Sequence, residues 1–160
     1  MFLIKPQKGH TKQVKEIPPE ALMILENCYF AYLGTTRTGC DPHITAMFYI
    51  WDDKTKSIYL VSAQKSTKVR NIKRNPKVTI TVDERDPNSP AQNSGVMIRG
   101  KAQLMPMEDA DDVLMSQYLI KYYNFLSEGY PLGSRIAIRV KAKNLSYWRG
   151  TNFAKWKNPD

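Results

Sequence analysis

The residues best suited to chemistry in this chain lie in one segment, where a predicted strand gives way to a predicted helix. Ser62, Ser66, Thr67 and Lys68 place three hydroxyl groups and an ammonium group close together in the chain. Ser66 is typical of a helix N-cap, and the helix that it starts would end before Pro76. The first turn of a helix presents unpaired N–H groups and the positive end of its dipole. The segment therefore predicts a site for one phosphate group, and a solvated basic helix with an ordinary serine cap is the alternative.

Basic residues are concentrated around this segment. Eight lysines and arginines and no acid lie between Asp53 and Asp83, and the whole chain has 24 basic and 15 acidic residues, a formal net charge of +9. Such a charge suits a nucleic acid, an anionic membrane surface or a phosphorylated or carboxylated small molecule. Because the cations cluster on a phosphate-like motif and no recognition fold is indicated, nucleic acid is the unfavoured partner. An aromatic and basic segment from Tyr147 to Lys157 is the feature that would favour it.

Other kinds of site are not indicated. The two cysteines, Cys28 and Cys40, lack the spacing of a zinc motif, and a disulfide between them is disfavoured in a reducing compartment. His10 and His43 are the only histidines, so we predict neither a metal site nor a Ser-His-Asp triad, and the catalytic residues stay unknown. No apolar run approaches the roughly 20 residues that span a bilayer, and the start lacks a signal peptide. We therefore expect a cytoplasmic protein that does not enter a membrane.

The elements that must position the phosphate-like segment are mostly strands. Residues 1–17 are polar and basic and are interpreted as an N-terminal arm, and 18–160 as a single domain. Hydrophobic alternation and turn residues predict the strands at 28–36, 43–51, 57–62, 77–82, 95–104 and 135–142. Three helices are predicted at 18–27, 66–75 and 107–126. Because connections are of hairpin length and strands do not alternate regularly with helices, the predicted fold is α+β, built on an antiparallel barrel.

Three stretches of the chain read GCDPHITAMFYIWDD, IYLVSAQKSTKVRNIKRNPKVTITVDE and VMIRGKAQL. Together they resemble the flavin-binding split-barrel proteins related to pyridoxamine 5′-phosphate oxidase. The resemblance covers about residues 25–105 well and the C-terminal third in outline. Its most specific part is a strand followed by the pattern S/T-x-x-x-S-x-K-x-x-N-L/I-x-x-N/D-P-x-V, which residues 62–78 fit closely.

The resemblance implies an antiparallel split β-barrel with a few flanking helices that binds flavin mononucleotide (FMN). It also implies a homodimer with two cofactor sites at the interface, where the segment around Trp148 of a partner completes the pocket. The backbone of the strand at 43–51 would lie along the isoalloxazine ring, and the segment 62–68 would hold the phosphate. The cofactor-binding residues so implied are His43, Thr45, Ala46, Met47, Ser62, Ser66, Thr67, Lys68 and Trp148.

The chain departs from the oxidases proper at several positions. Thr45 stands where they carry an arginine that contacts the phosphate, Ala46 stands where a proline is common, and their C-terminal substrate-binding signature is not evident. The expected function is therefore a flavin-binding oxidoreductase that transfers hydride between FMN and an unidentified small substrate. Residues 68–72 also resemble the branch that uses the deazaflavin coenzyme F-420, which makes a deazaflavin-dependent reductase the first alternative. A non-catalytic cofactor-binding module is the second.

Overall fold

The computed structural model describes residues 9–126 and 134–160, and these form a mostly antiparallel sheet with a few short helices. The strands are β1 His10–Val14, β2 Ala31–Thr36, β3 Pro42–Met47, β4 Tyr49–Asp52, β5 Ser57–Ala63, β6 Lys77–Glu84, β7 Ser94–Pro106, β8 Arg135–Arg149 and β9 Asn152–Lys157. The helices are α1 Pro19–Asn27, α2 Thr67–Arg74, α3 Asp112–Lys121 and α4 Tyr123–Leu126, with single 3-10 turns at Thr38–Cys40, Pro90–Gln92 and Met107–Asp109. The predicted α+β class is confirmed.

The sheet follows the order β1-β9-β8-β7-β6-β2-β3, and β5 and β4 continue it from the first half of β8. Every pair is antiparallel except β1 with β9. The long strand β8 organises this topology, because β5 pairs with its residues 135–141 and β9 with its residues 144–149 along the same edge. A register shift in the β7–β8 ladder lies where the two partners change over. One strand thereby connects the β4–β5 part of the sheet to the β9–β1 part.

Alternating burial in the strands produces the core. In β6, Val78, Ile80 and Val82 are buried, whereas Lys77 and the intervening threonines face outward. Leu33, Ile58, Leu60, Ile98, Ile138 and Leu145 from the neighbouring strands are fully buried against them. A β-strand exposes successive side chains to opposite faces, so one alternating sequence builds an apolar interior and a polar exterior together.

The basic helix forms as predicted. The Oγ atom of Ser66 accepts a hydrogen bond from the N–H of Val69, at 3.4 Å, which makes Ser66 the N-cap of α2. Val69 and Ile72 are buried on the inner side of this helix, and Asn75 caps its C-terminus before Pro76.

Several predicted boundaries were wrong for tertiary reasons. The predicted helix at 107–126 is a 3-10 turn followed by α3 and α4, interrupted at Tyr122, whose ring is fully buried against the sheet. The predicted strand at 43–51 is divided at Phe48 into β3 and β4, because β3 pairs with β2 whereas β4 pairs with β5. The last predicted strand continues to Arg149, past a register shift that alternation alone does not reveal. Of the predicted N-terminal arm, residues 1–8 lie outside the described residues, and residues 10–14 form β1.

Candidate functional site

A cleft of about 660 Å³ opens where the end of β5 meets the first turn of α2. The cleft has polar and cationic lining residues, lining residues from the end of β3, and apolar lining residues from the segment that carries α3. The lining residues are Thr45, Ala46, Met47, Phe48, Val61, Ser62, Ala63, Lys68, Met107, Met115, Tyr118, Leu119, Leu126 and Arg135.

The polar end is built by the pairing of β5 with β8. Ser62 lies opposite Ile136 and Ala63 lies opposite Arg135, so the register brings an arginine from the start of β8 to the exit of β5. The Oγ atoms of Ser62 and Ser66 are 3.0 Å apart and share a hydrogen bond. The hydroxyl pair therefore fixes the strand exit against the N-terminus of α2, beside the two cations.

Lys68 is half-buried at this end of the cleft. Burial of its ammonium group lowers its pKa, and the nearby positive charge of Arg135 lowers it further. Within the described part of the chain, Lys68 has no ion-pair partner within 4.0 Å. An anion bound between these cations would stabilise the protonated lysine, since an opposite charge within a few ångströms favours the charged form.

Thr67 lies beside the polar end and is already engaged by a neighbouring side chain. Its Oγ1 atom accepts a hydrogen bond from a guanidinium nitrogen of Arg70 at 3.0 Å, and Arg70 also donates to the backbone carbonyl of Lys65 at 3.2 Å. Arg70 thus braces the loop before α2 and keeps a third positive charge close to the helix start.

The side formed by β3 offers backbone groups. Among the described strands, β3 is the last of its sheet path and pairs only with β2. On an edge strand, alternate N–H and C=O groups point away from the neighbouring strand and are open to a ligand. Thr45, Ala46 and Met47 border the cleft on this strand. The edge can therefore hydrogen-bond a flat heterocycle laid along it.

An aromatic cluster holds the apolar wall in place. The ring of Tyr122 stacks on Phe48 with centroids 4.3 Å apart and an interplanar angle of 18°, and Tyr118 lies 4.9 Å from Tyr122. The hydroxyl of Tyr122 accepts a hydrogen bond from the N–H of Tyr49 at 3.0 Å, and the carbonyl oxygens of Tyr49 and Tyr29 lie 2.7 and 2.8 Å from it. Burial raises the pKa of Tyr122, so the hydroxyl stays protonated.

The structure places the sequence-predicted site residues in two groups. Thr45, Ala46, Met47, Ser62 and Lys68 line the cleft, whereas Ser66 and Thr67 lie beside its polar end. Two further residues, His43 and Trp148, are absent from its lining.

His43 and Trp148 have other surroundings in the described chain. His43 lies opposite Thr35 on β2, and its Nδ1 atom is buried with no hydrogen-bond partner among the described residues. Trp148 lies opposite Gly95, and its ring covers that glycine so closely that a Cβ atom there would come within 2.2 Å of it. Trp148 lies about 40 Å along β8 from Arg135 at the usual rise per residue, and it does not line the cleft.

Sequence reasoning missed the arginine and the apolar wall. Arg135 is distant in sequence from Ser62, and only the β5–β8 register brings them together. Met107, Met115 and Leu119 carry no local signal for a ligand, because apolar residues on a helix normally indicate core packing.

Two features are absent from the described residues. In residues 9–126 and 134–160, no helix combines the length and apolar character that crossing a membrane requires. The same residues contain no group of three or more His, Cys, Asp or Glu side chains arranged to hold a metal ion.

Comparison with known proteins identifies relatives over most of the chain. A sequence model of the pyridoxamine 5′-phosphate oxidase family matches residues 17–149. The solved structure of an F420 reductase is 25% identical, with a TM-score of 0.61, and the match covers 81% of this chain and 98% of that one. No curated protein matches.

Two further solved structures share the fold at lower identity. A FAD-binding protein from Mesorhizobium loti is 17% identical with a TM-score of 0.65, covering 80% of this chain and 91% of that one. A heme binding protein from Mycobacterium smegmatis is 15% identical with a TM-score of 0.68, covering 89% of this chain and 60% of that one.

Proposed function

The chain belongs to the pyridoxamine 5′-phosphate oxidase family, and we propose that it is an oxidoreductase that transfers hydride between bound FMN and a small substrate. The observation that carries this proposal is the two-part cleft, in which a cationic end with two hydroxyl groups leads to an apolar compartment beside an edge strand. A phosphorylated flat heterocycle requires both parts. When bound, FMN supplies the redox chemistry through hydride transfer at its N5 atom.

The residues at the polar end fit a phosphate monoester. Lys68 and Arg135 provide the charge, the hydrogen-bonded pair of Ser62 and Ser66 provides one hydroxyl donor, and the first turn of α2 adds backbone N–H groups. A hydrogen bond to a charged group contributes about 1.5–3 kcal/mol. Lys68 and Arg135 both line this end of the cleft, and burial and then the charge of Arg135 lower the pKa of Lys68, so a bound phosphate would stabilise its protonated form.

The residues at the apolar end would orient the ring and exclude water. Met115, Tyr118 and Leu119 on α3 line the same cleft as the end of the edge strand β3. Backbone groups of β3 would hydrogen-bond the ring heteroatoms, while the apolar wall would limit the space above the ring to a small or flat substrate. The protein's contribution to the reaction is then binding, orientation and exclusion of solvent.

The deazaflavin coenzyme F-420 is the second candidate cofactor. It is supported by the similarity to an F420 reductase, at 25% identity over 81% of this chain. The polar end would hold its phosphodiester as it holds the phosphate of FMN. Exposed Arg70, Lys73 and Arg74 on α2 would suit the negative charge of the remainder of that coenzyme.

A homodimer is the assembly that we propose. Large apolar side chains are exposed together at the β2–β3 end of the sheet: Tyr29 is 47% exposed, Phe30 49%, Tyr32 45% and Ile44 70%. Tyr32 and Ile44 share one face of the β2–β3 ladder, since Ile44 lies opposite Gly34, and exposed apolar side chains on one face are typical of a protein–protein interface. Only a second copy could bring Trp148 to a cleft, as the family resemblance implies.

The first experiment is the visible absorption spectrum of the purified protein, followed by titration with FMN and, separately, with the deazaflavin. Tight uptake of FMN with a two-band flavin spectrum supports the proposal. Uptake of the deazaflavin alone would indicate that the cofactor is the deazaflavin coenzyme F-420. A protein that takes up neither contradicts both. Retention of FMN with no hydride transfer from reduced nicotinamide to any acceptor would favour the alternative of a cofactor-binding module.

A further inference from the structure

Two aromatic side chains lie next to each other on the outer face of the sheet, the face turned away from the core. Trp148 on β8 lies directly opposite Phe153 on β9, and on its other side it lies opposite Gly95 on β7. Side chains directly opposite on antiparallel strands have Cβ atoms about 4.5–5.5 Å apart. Trp148 is half-buried, and Phe153 is 41% exposed. We name Trp148 and Phe153 the aromatic pair.

Gly95 gives the ring of Trp148 room to lie over the neighbouring strand. A Cβ atom at Gly95 would come within 2.2 Å of that ring. The next residue of β8, Arg149, donates a hydrogen bond from its Nε atom to the side-chain oxygen of Gln92 at 2.9 Å. The end of β8 is therefore held in place within its own subunit, and the ring has its orientation before a partner binds.

A row of uncharged side chains crosses the outer face beside the aromatic pair. Its members lie directly opposite one another on five neighbouring strands: Ser146, Met97, Thr81, Tyr32 and Ala46. We name this row the neutral strip. Ser146 is two residues from Trp148 on β8, and Ala46 on β3 lines the cleft. The four steps from β8 to β3 span about 19 Å at the usual strand spacing.

The cationic end of the cleft faces the same side of β8 as the aromatic pair. Ile138, Val140 and Leu145 of this strand belong to the buried core. Because side chains alternate between the two faces, and the register shift lies between Val140 and Leu145, both Arg135 and Trp148 face away from the core. A second copy that covers the outer face can therefore reach the cleft.

Charged side chains lie at the margins of the neutral strip. Asp83, opposite Gly95, is bound by the guanidinium group of Arg85. Lys155 lies at the β9 end of the strip, and Arg99 lies in the next row, further from the aromatic pair. An uncharged centre with charged residues at its rim is the usual composition of a protein–protein interface.

The neutral strip is suited to a two-fold contact between copies. Thr81 on β6 is its central member, two strands from Ser146 and two strands from Ala46. In a two-fold dimer the same surface of both copies meets, so each contact occurs twice. A two-fold axis near Thr81 therefore brings the aromatic pair of each copy to the cleft rim of the other.

We propose that Phe153 of the partner subunit joins Trp148 of the partner subunit in completing the cofactor cleft of each protomer. This inference rests on the proposed function, since it assigns a further residue to the same cleft. The two rings would cover the flat heterocycle beside Ala46, at the rim where the neutral strip ends. Two adjacent rings on neighbouring strands offer a wider apolar cover than Trp148 alone.

The test uses heterodimers of two differently damaged subunits. One subunit carries Lys68→Ala, and the other carries Trp148→Ala with Phe153→Ala; the two are co-expressed with different affinity tags and purified through both. When the pair acts on the partner's cleft, one cleft of the heterodimer contains all the substitutions and the other contains none. We expect one FMN per dimer, bound with the affinity of the unmodified protein.

The homodimers of single variants give the reference affinities. Phe153→Ala should weaken FMN and riboflavin alike, by about 2- to 10-fold, because a ring stacks on the heterocycle and not on the phosphate. Phe153→Tyr should restore both affinities. Tyr123→Ala removes an exposed ring from α4, outside the neutral strip, and should leave both unchanged. If loss of Trp148 unfolds the chain, Phe153→Ala alone takes its place in the heterodimer, since Phe153 is exposed.

The outcomes separate this inference from the proposed function. A heterodimer without a cleft of unmodified affinity would overturn the inference, because the aromatic pair would then act within its own subunit or not at all. Unchanged flavin affinity in Phe153→Ala, or a monomer that binds FMN fully, would also overturn it while leaving FMN binding established. Failure of the unmodified protein to bind FMN would contradict the proposed function itself, and the inference with it.

Discussion

Replacement of Lys68 by alanine tests the phosphate end of the cleft most directly. The side chain is half-buried beside Arg135, and the variant removes one of the two cations that line this end. A charged hydrogen bond of about 1.5–3 kcal/mol corresponds to about a 10- to 150-fold weaker Kd. The fold should survive, because the ammonium group has no ion-pair partner among the described residues.

The pH dependence of FMN affinity sharpens this prediction. Burial and then Arg135 lower the pKa of Lys68, so affinity should fall as pH rises through that lowered pKa, where the lysine loses its charge. Lys68→Ala should abolish this alkaline fall. Arg135→Gln should move the fall to higher pH, because it removes one of the two causes of the lowered pKa, while weakening FMN binding by a similar factor.

The assay is quenching of flavin fluorescence on titration with protein, carried out in parallel with FMN and with riboflavin, which lacks the phosphate. Lys54→Ala removes an exposed lysine in the β4–β5 turn and should leave both affinities unchanged. Lys68→Ala should weaken FMN and leave riboflavin nearly unaffected. An equal loss for the two ligands would refute the reasoning, since it would place Lys68 against the ring or show that the cleft has distorted.

Three further predictions concern the cleft wall and the assembly. Tyr122→Phe leaves the buried N–H of Tyr49 without a hydrogen-bond acceptor, so it should lower the free energy of unfolding, measured by urea titration, by about 1–3 kcal/mol. Tyr123→Phe, at an exposed ring, should have no measurable effect. Burial lowers the pKa of Lys121 to about 8, so the free energy of unfolding should fall as pH falls from about 10.5 to about 8, because the unfolded chain takes up the proton first. An unchanged pH dependence of unfolding in Lys121→Met would contradict this. Ile44→Lys should convert the proposed dimer to a monomer in light scattering at micromolar concentration; a monomeric unmodified protein would contradict the shared site.

Local features of this protein were predictable from the sequence because neighbouring residues determine them. The N-cap at Ser66 depends on a hydroxyl group three residues before a free N–H, and the alternation of β6 depends on the two-residue period of a strand. The phosphate-like segment could be located for the same reason, since its hydroxyl groups and Lys68 are adjacent in the chain.

Boundaries and long-range neighbours were not predictable. Tyr122 continues an apolar helix pattern in the sequence, but its hydroxyl meets the backbone of β4 and the helix is interrupted there. Phe48 continues the alternation of a strand, yet the chain changes partner strand at that residue. In both places, contacts with another part of the molecule override the local propensity.

The sequence by itself determined the family, the α+β class and the location of the phosphate-like segment, because these depend on residue types at short spacing. Only the tertiary structure decided that Arg135 joins Ser62 and Lys68, and that Lys77, Lys101 and Lys141 form one row. The physical reason is strand register. A shift of one residue in the pairing of β8 would move Arg135 and Lys141 to the other face of the sheet, and no local pattern specifies that pairing.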